Sequence, residues 1–172
     1  KNPFSFRKPS NFFRKKRYQR TSKEVQVIGK GQSISHTGAS MSYGWNQEKN
    51  AEVVFKQHLV GVNLSEITAE FKRIQALNTD CKRNTLSFVL SPTIKDGKRL
   101  KNKDLEKIVS KFMKQMKLKD RQAIAFVHRD NAHAHVHLYV NRIDFRGKAY
   151  AASFVGKRSK HAAELVAQAL TI

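Results

Sequence analysis

The sequence holds a single cysteine, Cys81, three prolines and only 13 acidic residues in 172. One cysteine excludes an intrachain disulfide, so nothing suggests a secreted, cross-linked framework. No apolar run reaches the roughly 18 residues that a membrane-spanning helix needs, and no signal peptide is visible. A cytoplasmic setting without membrane attachment is therefore expected. The scarcity of acid is the larger fact. Against 13 Asp and Glu stand 34 Lys and Arg, a net charge of +21. A globular chain so charged repels itself unless a polyanion neutralises it. Contacts from Lys and Arg to phosphates release counterions, so nucleic acid is the expected partner. An anionic membrane surface would require a basic amphipathic helix with an apolar face, and none is evident. Hydrophobic residues make up 40% of the chain, which suffices for the core of one domain.

The charge is unevenly spread. Residues 1–30 hold ten Lys and Arg and one acid, Glu24, interleaved with Phe4, Phe6, Phe12, Phe13 and Tyr18. Residues 1–23 read as an arm, either floppy or tracking phosphates while its aromatics stack on bases. Residues 24–172 then form the domain. Val25, Val27 and Ile28 suggest a short strand, followed by a polar stretch punctuated by Gly29, Gly31 and Gly38. A helix is expected at about 48–60, with Val53, Val54 and Leu59 inward and Gly61 as its stop. Asn63 and Glu66 read as a capping box. Leu64, Ile67, Phe71, Ile74 and Leu77 follow at helical spacing, so a helix is expected over 64–78. Residues 85–91 read as a strand, ended by Pro92 and a turn at Asp96-Gly97. Asn102 can cap a helix over 103–117; strands over 122–128 and 134–143 and a helix near 159–170 complete the chain. Strand runs mixed with helices, including one close hairpin, predict an α+β fold. Its centre is an antiparallel sheet, with helices packed mainly on one face.

Four of the seven histidines fall within residues 128–137, in H-R-D-N-A-H-A-H-V-H. On a strand, residues two apart share a face, so His135 and His137 project together while Val136, Leu138 and Val140 face a core. A hairpin turning at about 131–132 sets His128 opposite His135, with Cβ atoms about 4.5–5.5 Å apart. Three imidazoles then share a face within reach of one ion; without a metal, the same hairpin is a solvated polar surface. Three neutral imidazoles with open positions describe a catalytic rather than a closed structural site. Imidazole suits manganese, zinc, nickel or cobalt, and magnesium at high concentration is compatible. Asp130 can fix the tautomer of a ligand imidazole or act as a base. His133 has the right parity but lies in the turn. Asn141, on the same face four residues past His137, can hydrogen-bond a phosphate or simply end the strand.

H-R-D-N-A-H-A-H-V-H-L-Y-V-N resembles the third motif of the relaxases, the mobilisation nucleases of conjugative plasmids and mobilisable transposons, in the HUH endonuclease superfamily. The resemblance implies His128, His135 and His137 as ligands of one divalent ion (Mn2+, Mg2+ or Zn2+), with Asp130 as the neighbouring acid. His133 has no counterpart in the motif. V-I-G-K-G-Q-S-I-S-H-T-G-A-S-M-S-Y is similar to the start of such domains, with Tyr43 at the nucleophilic tyrosine. Some members use a histidine instead, which makes His36 the rival. Tyr18, Tyr139 and Tyr150 are poorer candidates. Outside the resemblance, Tyr43 reads as a ring packed near Trp45 in a glycine-flanked turn. S-F-V-L-S-P is similar to the second motif, with Ser91 at the DNA-contacting serine and Phe88 where members often carry a histidine. Across residues 28–156, the resemblance implies a metal-dependent DNA endonuclease that nicks one strand at an origin of transfer. That origin would be single-stranded or hairpin-containing DNA, and accessory mobilisation proteins are further expected partners. Arg142 and the run Arg14, Lys15, Lys16 and Arg17 are expected on phosphates beside Ser91 and Asn141. A water-using metal-dependent nuclease and a non-catalytic basic DNA-binding module remain the alternatives.

Overall fold

Among the described residues, β-branched and aromatic runs supply five strands: β1 (Val27–Ile34), β2 (Glu52–Gln57), β3 (Thr85–Pro92), β4 (Ala123–Asp130) and β5 (His133–Asn141). They form one antiparallel sheet in the order β1-β3-β5-β4-β2. Four helices join them: α1 (Thr37–Gly44), α2 (Leu64–Gln75), α3 (Asn102–Gln115) and α4 (Val155–Gln168). The computed structural model describes residues 25–45, 50–93, 99–130 and 133–170. The arm over 1–23, with Arg14, Lys15, Lys16 and Arg17, and the turn at Asp96-Gly97 lie outside the described residues.

The main core lies on one face, as expected. Leu86, Phe88 and Leu90 of β3 and Val136, Leu138 and Val140 of β5 meet Leu105, Ile108 and Phe112 of α3 and Ala162 and Val166 of α4. The opposite face is not bare. Met41 of α1 and Ile67 and Phe71 of α2 cover Ile124, Phe126 and Tyr139. Covered on both sides, β4 reads A-I-A-F-V without polar alternation. The capping box at the head of α2 forms, with Asn63 Oδ1 accepting from the Glu66 amide at 2.9 Å. The first helical residue of α3 is Asn102 rather than its cap, and Asp104 accepts from the Lys101 amide at 2.9 Å.

Two local expectations fail. The helix expected over 48–60 is strand β2, paired to β4. Val54 faces inward and Val53 is 42% exposed, as alternation requires, but a register shift between Val53 and Phe55 makes Val54 an extra residue opposite β4. That bulge breaks the period of two, because Val54 and Phe55 both turn to the main core, as neighbours on a helix face can. The strand expected to be short at residues 25–28 runs on through the polar stretch: β1 continues to Ile34 and α1 follows.

β1 carries two glycines because α4 comes too close at one and the Phe88 ring of β3 at the other. A Cβ on Gly29 would lie 2.5 Å from the Ser159 carbonyl oxygen, and one on Gly31 2.5 Å from the Phe88 ring. Gly29→Ala must push helix from sheet, at a cost of about 1–3 kcal/mol. Thermal denaturation should show a Tm several degrees lower; an unchanged Tm would mean that α4 yields freely.

Candidate active site

The hairpin keeps its parity. Asp130 stands opposite His133, His128 opposite His135 and Phe126 opposite His137, with no inserted residue. Directly opposed residues share a face, so His128, His135 and His137 all lie on the α1–α2 side of the sheet. One cross-sheet row runs Lys30, Val89, His137, Phe126, Val53 through all five strands. α1 and α2 cover the β4–β5 part of this face and the Thr85 end of β3. Toward β1, Ile28 and Lys30 are exposed and Val89 and Ser91 half-buried.

α1 brings Tyr43 to the histidines. At its N-terminal end the Thr37 hydroxyl lies 2.6 Å from the Thr85 hydroxyl, and Gln75 Nε2 donates to both. Met41 is fully buried in the middle. At the C-terminal end His128 Nε2 lies 2.6 Å from the Gly44 carbonyl oxygen. A carbonyl only accepts, so Nε2 carries the proton and Nδ1 keeps the lone pair. The position also requires glycine, because a Cβ there would lie 2.6 Å from Tyr139 Cε2. Pinned at both ends, the helix holds the Tyr43 ring 6.4 Å from that of His128 and 6.0 Å from that of His137, centroid to centroid. The tyrosine remains 60% exposed. The glycine-flanked turn expected around it is thus the last turn of a helix.

The rings of His128 and His137 lie 4.4 Å apart. His135 is turned to β3, where its Nδ1 lies 2.9 Å from the Ser91 hydroxyl. The expected convergence is therefore incomplete. Among the described residues no three His, Cys, Asp or Glu side chains stand as a metal-holding cluster. The donor chemistry nevertheless fits a divalent ion. A ligand imidazole is normally oriented by a hydrogen bond from its other nitrogen, and the Gly44 carbonyl and Ser91 hydroxyl supply such partners here. Ser91→Ala should weaken Mn2+ binding about 10–100-fold by calorimetric titration; unchanged affinity would mean that Ser91 does not orient His135.

Other expected residues fall elsewhere. His36 is exposed at the N-cap of α1, seven residues or about 10 Å of helix from Tyr43. Asp130 and His133 close the hairpin in the backbone, and their side chains lie outside the described residues. Asn141 is turned to protein partners. It is fully buried, donates to the Phe71 carbonyl and Gln122 Oε1, and accepts from the Ile143 amide. Its strand-end reading is correct, and it ties β5 to α2. Arg142 follows it, roughly 23 Å along the strand from His135. It is half-buried and donates to the carbonyls of Tyr150 and Arg83, so it stands apart from the histidines.

Tyr139 packs into the core beside the histidine hairpin, among Met41, Ile67 and Phe71. Burial, and secondarily Tyr43, push its phenol up to about 12. The neutral form is thus favoured by folding. Its stabilisation is complete below pH 10 and is lost as pH rises from 10 towards 12. Denaturant titrations should show stability falling across that window, less steeply in Tyr139→Phe; identical slopes would contradict the assignment. Tyr150 is buried as well, its hydroxyl donating to the Met116 carbonyl.

Sequence reasoning missed Gly44, whose carbonyl joins Tyr43's helix to His128. Its only signal was a glycine following the tyrosine.

The sheet thus carries its histidines on one face with an exposed tyrosine beside them. The family model "Relaxase: MobA/VirD2-like, nuclease domain" matches residues 43–171, from Tyr43 through all three histidines. The chain belongs to this relaxase family, and so to the DNA-binding endonucleases that nick DNA in mobilisation. No curated protein and no solved structure matches it. No helix among the described residues is long and apolar enough to cross a membrane.

Proposed function

We propose that this protein is a metal-dependent, strand-specific relaxase. It nicks one strand at the origin of transfer of a plasmid or transposon, with Tyr43 as the nucleophile. The observation that carries this reading is the exposed Tyr43 ring within 6.0–6.4 Å of His137 and His128. A phenol is more easily ionised than an alkyl hydroxyl and makes a reversible phosphoester. Tyr43 Oη bonds to the scissile phosphorus as the bond from phosphorus to O3′ breaks. The phenolic proton passes to a base, for which Asp130 is the candidate, and the leaving oxygen takes up a proton to give a free 3′-OH. One phosphoester replaces another, so the 5′-phosphotyrosyl end can be rejoined after transfer.

His128, His135 and His137 would hold one divalent ion, Mn2+, Mg2+ or Zn2+, which would supply Lewis-acid polarisation of a non-bridging oxygen. Ser91 orients His135 and contacts the DNA. Lys30 and the exposed sheet around Ile28 offer charge and apolar surface to a single strand or an origin hairpin. Arg14, Lys15, Lys16 and Arg17 of the arm add phosphate contacts, each worth about 0.9 in the slope of log affinity against log salt. A cytoplasmic setting and accessory mobilisation proteins belong to the same reading.

Nicking of supercoiled origin DNA with Mn2+ tests it. Protein covalently held on the 5′ end is expected. A free 5′-phosphate would indicate a water-using nuclease. DNA and metal binding without cleavage would leave only a binding module.

A further inference from the structure

The relaxase reading leaves open where the cut strand lies once it is joined to Tyr43. A groove of about 1190 Å³ runs between α1 and α2, lined among others by Ser42, Tyr43, Trp45, Asn63, Thr68 and Lys72. It exceeds the roughly 300–1,000 Å³ usual for a small-molecule pocket, and so suits a length of polymer. It continues at Lys72 into a second hollow of about 480 Å³ that reaches Gln75, Lys82 and Asn84.

Among the described residues neither cavity is lined by a carboxylate, although α2 carries Glu66 and Glu70. Ser65, Thr68, Ala69 and Lys72 recur at helical spacing on the groove side. Glu66 and Glu70 occupy the neighbouring face and are held there by backbone amides. Glu66 accepts from Val62 at 2.8 Å, and Glu70 from Val60 at 3.1 Å and Gly61 at 2.5 Å. The walls are thus open to an anion. Trp45 forms an aromatic floor against Phe126, 4.9 Å between centroids, and Val62 stands 76% exposed at the rim. Aromatic and apolar surface with hydroxyls and a lysine is the combination that holds single-stranded nucleic acid.

Tyr43 decides which part of the strand this is. Its ring lines the groove and also faces His128 and His137. After transesterification, the phosphorus on Tyr43 begins the 5′-ended product, and the 3′-OH product leaves.

We propose that the α1–α2 groove binds the nucleotides downstream of the nick, the strand that stays esterified to Tyr43. This rests on the relaxase reading. Upstream nucleotides lie over the open sheet around Ile28, Lys30 and Ser91.

The test uses the full chain with Mn2+ and single-stranded oligonucleotides built on the mapped nick site. One series is extended downstream from one to eight nucleotides, the other upstream. The wild-type protein should gain about tenfold or more in affinity on downstream extension, the worth of one well-stacked base. Ala69→Trp fills the groove from an exposed helix position, and Lys72→Glu reverses its charge. In both, the ratio of long to short downstream substrates should collapse towards one, while the upstream series keeps its gain. A wild-type downstream gain in both variants, or loss of the upstream gain instead, would overturn the assignment. Absence of any covalent adduct with wild-type protein would instead remove the relaxase reading on which it rests.

Discussion

Tyr43→Phe should abolish the covalent DNA adduct and lower nicking by roughly 10³-fold or more, about 4 kcal/mol of barrier. The substitution removes one oxygen from a side chain that is 60% exposed. Stability should therefore change by no more than about 0.5 kcal/mol, and oligonucleotide affinity little. His36→Ala is the matched control. His36 caps α1 without a side-chain hydrogen bond and stands at the far end of the helix from the histidines. Its variant should form the adduct at the wild-type level, as read on denaturing gels with end-labelled DNA. The reverse pattern, with adduct surviving Tyr43→Phe and lost in His36→Ala, would transfer the nucleophile to His36.

His128→Ala should lose both metal and stability, and it separates the two roles of one side chain. His128 is only 5% exposed, and its Nε2 donates to the Gly44 carbonyl. Removing the ring leaves a cavity and strips that carbonyl of its partner, a cost of about 1–3 kcal/mol. It also frees the end of α1 that carries Tyr43. His137→Ala should match it in lost Mn2+ affinity and lost nicking, yet cost less stability, since His137 is half-buried and does not hold Gly44. Calorimetry with Mn2+ and thermal melts of both variants check this. Equal stability losses would mean that the Gly44 link contributes nothing. Wild-type Mn2+ affinity in His128→Ala would make that histidine structural.

The histidine hairpin was legible because two strong local signals agree. Alternation fixes which residues of β5 share a face, and a short turn fixes the register against β4. The helices with regular apolar spacing, α2, α3 and α4, were legible for a similar reason. α1 was not. T-G-A-S-M-S-Y-G contains two glycines and one apolar anchor, Met41, so its helicity comes from contacts to Thr85, Gln75, His128 and Tyr139 that no local pattern records. β2 was misread because its bulge turns Val54 and Phe55 to one face, which breaks the alternation that marks a strand. Asn141 showed the reverse limit. Its place on the histidine face was deducible, but its burial beneath α2 depends on how a distant helix packs. Sequence parity places a residue on a face; only the packing decides whether that face is open.

The distance from Tyr43 to the histidines is the centre of the account, and the position of the covalent bond tests it most directly. Trypsin should release Gly31–Lys49, which carries both His36 and Tyr43. Fragmentation of that peptide from a nuclease-trimmed adduct should place the nucleotide on Tyr43, as an acid-stable phosphodiester. A nucleotide on His36 or on any other residue would contradict the account.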